Sequence, residues 1–360
     1  MKCLCILLVL ESDMLLIQSP VLFHHQDKEV YLFTLKNRNG VEVSISNLGA
    51  IIRSFIVPDR KGKPTDIVLG FDQMEHYIDQ TYLESNSYLG AIVGRYANRI
   101  SNSHFELDSE LYRLSSNLPP HQLHGGHEGF DRKVWKLESF SNAQLVLSYL
   151  SKDGEEGFPG NLQLTISFEL TDENELILIT EAITDKATAV NLTHHDYFNL
   201  NCTGLIEDHW VEIPSSFYLG QHEDYVSNGE LHPVANTPYD FTQAKQIRQD
   251  WNAGDGYDQS FVLNKEYGTW GKAAYAYSEK SGITLEVYTD EPTVHFYTGK
   301  YLNLEGLKKG QTYPAFTGFC FETQHHSNAI NIPGFPETVL RPGEVYRHKT
   351  SYRTGLVKDK

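Results

Sequence analysis

Asn191–Leu200 reads NLTHHDYFNL. Its odd positions Asn191, Thr193, His195, Tyr197 and Asn199 are polar or amphipathic, while Leu192, Phe198 and Leu200 fall on even ones. That is how a β-strand with one buried face reads, because successive side chains point to opposite sides. His194 and Asp196 share the even face with the apolar residues, so the pattern requires a bulge, a mutual hydrogen bond or a less buried second face. On the odd face His195 stands in phase with Tyr197 and Thr193, all able to exchange hydrogen bonds with a polyhydroxylated ligand. That face is the candidate active surface. Only one of the two adjacent histidines can look into a cleft, and the phase selects His195. The plainer alternative is a sheet histidine with a satisfied hydrogen bond.

The same short strand rhythm runs outward in both directions. Glu29 to Val57 is rich in β-branched and aromatic residues broken at Arg38–Gly40, Pro58–Pro64 is a turn, and Asp66–Phe71 is another strand. Asp72–Ser85 offers at most a short helix. His104–Leu114 alternates like a hairpin around Asp108 and Ser109. The segments VWKLESF, QLVLSYL, LQLTISFEL and ELILITEAI continue the pattern, followed by HWVEIPSSFYLG and, near the end, GFCFETQ and EVYRHKTSYRT. One helical turn is expected near Gln243–Asp250. Close-spaced strands without long helical periodicity predict an all-β sandwich or barrel with large sheets.

The 360 residues suffice for a large core, and one large all-β domain over 21–360 is the preferred division. Residues 1–20 read as an N-terminal extension or a targeting segment: Lys2 and the apolar run Cys3–Leu10 resemble a secretory signal, yet Glu11, Ser12 and Asp13 interrupt the run with no small-x-small cleavage site. The run is also too short to span a membrane, which needs about 20 residues. The expected compartment is the cytoplasm, with secretion or the periplasm as the alternative if residues 1–13 act as a signal. The formal charge of −17 repels nucleic acid and anionic membranes, so a small neutral ligand is the expected partner, bound by a monomer or homodimer. Four cysteines without CxxC pairs give no case for a disulfide scaffold or zinc module.

Glu322 lies at the centre of the apolar strand GFCFETQ, on the face of Gly318, Cys320 and Gln324. A carboxylate there is costly unless it is paired or used. His295 and Tyr297 share a face of HFYTGKYL, and the paired glycines after His124 allow a sharp turn or close backbone approach. Asn98, Arg99 and Asp258 can be read as surface or turn residues as readily as ligand-binding ones. His124, His127 and Glu128 suggest a metal motif, but Gly125-Gly126 argues against the helix that i, i+3 ligands need, and neither metal nor cofactor is expected. With reference pKa values of about 6.5 and 4.3, a histidine and a glutamate supply an acid and a base near neutrality. Glycoside hydrolysis would require a second flanking carboxylate, so proton transfer fits better.

The strings YLGAIVGRYANRI, HQLHGG with GFD, DGEEGFPG, NLTHHDYFNL, GYDQSF, HFYTG, GFCFETQ and VLRPGEVY together resemble the aldose 1-epimerase (galactose mutarotase) family, in order from about Val41 to Tyr352. The resemblance implies a galactose mutarotase-like antiparallel β-sandwich that interconverts the anomers of a free monosaccharide without a cofactor. It implies His195 as general acid and Glu322 as general base, with Asn98, Arg99, His124, Tyr197, Asp258 and His295 holding the sugar. The chain departs from the family pattern at His194 and Asp196, where Asn and Ser are usual, at Ser327 and Asn328, where Pro and Asp are usual, and at His295, where Gln is usual. A non-catalytic sugar-binding protein and a hexose-6-phosphate 1-epimerase of the same superfamily are the alternatives.

Overall fold

A computed structural model describes residues 20–85, 87–251 and 255–358. The expectations for the N-terminal segment, save its residue 20, lie outside the described residues. Leu162–Leu170 and Glu175–Thr184 show why this chain makes sheets. Each alternates buried and more exposed positions along its length, and the two pair antiparallel in full register from Leu162↔Thr184 to Leu170↔Leu176. Leu162, Leu164, Ile166, Phe168 and Leu170 of the first and Leu176, Leu178, Thr180 and Ala182 of the second line the buried face of that pleated surface.

These two strands lie in a nine-stranded sheet. Its order is Lys136–Phe140, Gln144–Ser151, Leu162–Leu170, Glu175–Thr184, Tyr346–Leu356, Ile283–Thr289, Gly271–Tyr277, Trp210–Glu212 and Lys245–Gln246. A five-stranded sheet runs Ser227–Pro233, Ser215–Gln221, Asp258–Leu263, Thr293–Tyr297 and Cys320–Gln324. A four-stranded sheet is built from Leu32–Lys36, Glu42–Ser46, Ile52–Pro58 and Pro64–Asp66. The apolar faces of all three meet in one continuous core, where Ile166, Leu178 and Val287 join Phe261, Phe296 and Phe321 of the second sheet and Phe33 and Val43 of the third. The fold is the antiparallel all-β architecture expected from the strand rhythm. No helix among the described residues is long and apolar enough to cross a membrane.

Local expectations fared unevenly. The hairpin forms, with Leu107 opposite Glu110 and positive φ at both Asp108 (51°) and Ser109 (64°), the backbone a tight two-residue turn demands. Residues 74–85 form a 3-10 turn, Met74–Ile78, and one short helix, Gln80–Ser85. The helical turn expected near Gln243–Asp250 is absent, and Lys245–Gln246 instead closes the edge of the nine-stranded sheet beside Trp210 and Val211.

Asn191–Leu200 is not a continuous strand. Only Thr193–His194 forms a ladder, against Ile92–Val93, with single bridges from Asn191 to Tyr96 and from Phe198 to Val68 and Phe319. All ten residues are buried, so both faces are covered and a pattern of one dry and one wet face has no meaning here. His194 and Asp196 resolve the conflict on the even face by bonding each other: His194 Nδ1 lies 2.9 Å from Asp196 Oδ2, and its Nε2 lies 3.1 Å from the Ala50 carbonyl. Thr193, expected beside His195, faces an interior cavity with His194, Thr323, His348 and Thr350. The two-residue ladder turns Thr193 inward, and the irregular backbone beyond it aims His195 elsewhere.

Candidate active site

Three structural units converge on one pocket. The first is the Cys320–Gln324 strand at the edge of the five-stranded sheet, which carries Glu322, with His295 directly opposite in the register. The second is the His195–Tyr197 stretch. It is anchored by the His195 amide on the Ala91 carbonyl (2.9 Å) and by the Gly90 amide on the His195 carbonyl (2.9 Å). The third is a two-rung ladder, Arg99–Ile100 against Gln122–Leu123, that sets Asn98 and His124 side by side at its end. Both of these residues sit at positive φ, 61° and 51°. The glycines after His124 are needed here: a Cβ on Gly125 would stand 1.9 Å from the Gly94 carbonyl oxygen. Only glycine permits that approach.

The pocket encloses about 510 Å³, part of it open to solvent, and all eight residues named from the sequence line it: His195, Glu322, Asn98, Arg99, His124, Tyr197, Asp258 and His295. Tyr88, Tyr297, Tyr301, Leu123, Ser85 and Ser87 complete the wall. Of these, only Tyr297 carried a sequence signal, its shared face with His295. Tyr88 reaches the site through a backbone at φ 51°, packing its ring 4.7 Å from that of His124 and 5.9 Å from that of His195. Such a conformation leaves no mark in strand periodicity.

His195 Nε2 faces Glu322 Oε1 at 3.5 Å, with both side chains almost fully buried. That separation is longer than a good N–H···O hydrogen bond, so neither group is spent on the other. Glu322 Oε2 is buried without a hydrogen-bond partner, which is costly for a carboxylate unless a ligand hydroxyl meets it. On the far side of the imidazole, Nδ1 lies 3.6 Å from Cys320 Sγ. Burial, reinforced by nearby carboxylates, pushes the Cys320 thiol well above its ordinary value, so an uncharged sulfur lies beside that nitrogen. Burial likewise keeps the Tyr197 phenol protonated beside His195, their rings 5.0 Å apart.

His124 is held neutral by burial and by the positive neighbours His195, Arg99 and His295, its pKa well below the usual value. Its Nδ1 accepts the Asn98 amide N–H at 3.2 Å, which leaves the ring proton on Nε2 as a donor. Asp258 is pushed up by burial, but the hydrogen bond and charge of His295 outweigh this and hold it below the usual carboxylate range. The Arg99 guanidinium lies 5.3 Å over the Tyr225 ring, and its Nε is buried without a protein partner.

Ligand-capable atoms of His124, His195 and Glu322 lie within 4.8 Å of one another. The tautomer of His124 argues against a metal there, because the nitrogen left over from the Asn98 bond carries a proton rather than a lone pair. The His124-x-x-His127-Glu128 string does not converge. His127 and Glu128 are exposed, their amides bond Glu156, and the Glu128 side chain pairs with Lys133.

An antiparallel β fold with a buried imidazole and carboxylate facing each other in a small pocket of polar donors and tyrosines defines an acid–base enzyme for a compact, polyhydroxylated molecule. Comparison with known proteins gives that class its family. Residues 31–353 match the family model described as Aldose 1-epimerase. The chain is 40% identical to the galactose mutarotase of Homo sapiens over 322 residues, covering 87% of this chain and 91% of that protein. It is 35% identical to the aldose 1-epimerase of Escherichia coli over 331 residues, covering 89% and 94%. Among solved structures, the GalM/aldose epimerase homologue from C. elegans superposes with a TM-score of 0.86 at 29% identity, covering 91% of this chain and all of that one. The galactose 1-epimerase from Lactobacillus acidophilus gives 0.82 at 26%, covering 94% and 98%. The chain belongs to the aldose 1-epimerase family.

Proposed function

We propose that the protein interconverts the α and β anomers of a free aldohexose such as glucose or galactose, with His195 as general acid and Glu322 as general base. The observation that carries this reading is the pair itself: Nε2 and Oε1 face each other at 3.5 Å inside the pocket, unbonded, with the second carboxylate oxygen unpartnered. Glu322 takes the proton of the C1 hydroxyl while His195 delivers one to the ring oxygen. The C1–ring oxygen bond then breaks to give the open-chain aldehyde. Rotation about C1–C2 presents the other face of the carbonyl, and the same two residues, now in exchanged protonation states, reclose the ring. No electrons leave the sugar and no group is transferred, so no cofactor is required.

Asn98, Arg99, His124 and Asp258 would hold the sugar hydroxyls, and Tyr197 packs the acid in place. His124, with its proton on Nε2, acts as a donor, whereas Asp258 acts as an acceptor. Among the described residues, Arg99 is the only Lys or Arg side chain in the lining, which favours a neutral sugar over a hexose phosphate, for which a cluster of cations would be expected. The test is polarimetric. Freshly dissolved α-glucose or α-galactose should reach its equilibrium rotation many-fold faster with the protein than without, whereas a non-catalytic sugar-binding protein would leave the spontaneous rate unchanged.

A further inference from the structure

His295 lies in the pocket wall, yet neither ring nitrogen is free to meet a ligand. Nε2 lies 2.8 Å from Asp258 Oδ1, and Nδ1 lies 2.8 Å from Ser260 Oγ. The register explains the arrangement: His295 is the middle rung between Ser260 on one neighbouring strand and Glu322 on the other, and cross-strand partners share a face. Ser260 is in turn 3.2 Å from Ser327 Oγ, which accepts from Gln324 Nε2 at 3.3 Å. The imidazole is therefore clamped at both ends by groups that themselves lie in the sheet or just beyond it.

We propose that His295 is a positioning residue and not a sugar ligand: its ring, held between Ser260 and Asp258, fixes the Asp258 carboxylate in the pocket and, when protonated, places a positive charge directly opposite Glu322. This rests on the reading of Glu322 as the general base. The charge inventory around the ring supports it. Asp258 and Glu322 are the anions facing it, Arg99 is the fixed cation, His124 is a further titratable neighbour, and His195, Tyr88, Tyr197, Tyr297 and Tyr301 share the pocket wall. Burial alone would strip the ring of its proton, but the Asp258 hydrogen bond and the charges of Glu322 and Asp258 outweigh burial and lift its pKa above the ordinary value. Both nitrogens then donate, Nε2–H to Asp258 and Nδ1–H to Ser260.

Two consequences follow for the reaction. A carboxylate fixed by a charge-assisted bond is pre-oriented toward the sugar, so losing that bond weakens binding. A cation opposite Glu322 favours its ionised form, so losing the cation narrows the pH range of activity from the acidic side.

The test combines a spectroscopic and a kinetic measurement. In protein carrying nitrogen-15 histidine, the ring signals of His295, assigned by their absence in His295→Gln, should show both nitrogens protonated at pH 7. This readout holds whether or not the protein is a mutarotase. A ring with one unprotonated nitrogen at pH 7 would overturn the proposal. In the kinetic measurement, His295→Gln should raise KM several-fold and move the acidic limb of the mutarotation pH profile upward by about 1 pH unit, the scale of a removed neighbouring charge. A raised KM with an unmoved acidic limb would make His295 an ordinary wall residue and refute the charge role. Should His295→Gln fail to fold, Ser260→Ala removes only the Nδ1 partner. It should shift the same limb in the same direction by a smaller amount, and no shift would count against the proposal.

Discussion

Replacing His194 by Asn, the residue usual in the family, looks conservative from the sequence but should be costly in this chain. His194 and Asp196 are almost fully buried, with side chains 5% and 1% exposed. Nδ1 and Oδ2 are 2.9 Å apart, Nε2 meets the Ala50 carbonyl at 3.1 Å, and the Tyr352 hydroxyl is the other polar group that faces Asp196. Removing one partner of such a pair strands the other, typically at about 3–5 kcal/mol. One neutral hydrogen bond that Asn retains recovers about 1 kcal/mol. The single variant should therefore lose about 2–4 kcal/mol. His194→Asn with Asp196→Ser removes both members and should lose about 1 kcal/mol, about 1–3 kcal/mol less than the single His194→Asn variant. At about 2 °C per kcal/mol for a chain of this length, the single variant should melt about 4–8 °C below wild type and the double variant within about 2 °C of it. Turnover of the folded single variant should stay within about threefold, because His194 faces the interior cavity and not the sugar pocket. Thermal melts of the four proteins in the cycle decide the matter. A single variant as stable as wild type, or a double variant no better than the single, would refute the reasoning.

Burial holds His209 and His326 at about 4, so the unfolded chain takes up protons below about 6.5 that the folded chain refuses. Their contribution to stability is complete above that value and is lost as pH falls toward 4. His209 must stay neutral, since its Nε2 accepts the Leu200 amide (3.0 Å) while Nδ1 donates to Ile206 O (3.1 Å). Melting temperature should fall between pH 7 and 4.5, less steeply in His209→Gln, and equal slopes would contradict the assignment. Arg95, 2% exposed, donates to Pro159, Gly160, Thr188, Ser151 and Lys152 and lies outside the pocket lining. Arg95→Lys should cost about 2–4 kcal/mol in urea titration while leaving KM unchanged. Extended dialysis against a chelator should leave mutarotation intact, and activity lost and then restored by a divalent ion would overturn the metal-free account.

The sequence carried the sheet rhythm wherever one face is buried. LQLTISFEL alternates strictly in the structure as in the letters. GFCFETQ also divides as read, with Phe321 in the core, Thr323 turned to the interior cavity, Cys320 against His195 and Glu322 in the pocket. The eight site residues were legible because the resemblance located them; strand phase alone would have selected His195 and Tyr197 but also Thr193, which faces inward. Asn191–Leu200 misled because periodicity records a contrast between dry and wet faces, and this stretch has none. The His194–Asp196 bond could be anticipated as one way to bury both residues, but its third partner, Ala50, lies 144 positions away. The clamp on His295 is likewise a product of register, and no local pattern announces that Ser260 will stand beside it.

Glu322, proposed as the base facing His195, is tested most directly by Glu322→Gln, which preserves shape and removes the ability to take a proton. Polarimetry on fresh α-galactose should show mutarotation reduced by about 10²-fold or more, the scale of a lost general base, while galactose affinity by calorimetry stays within a few-fold of wild type. A folded Glu322→Gln protein that turns over at a near-normal rate would contradict the claim and move the base elsewhere in the pocket, with Asp258 the next carboxylate to test.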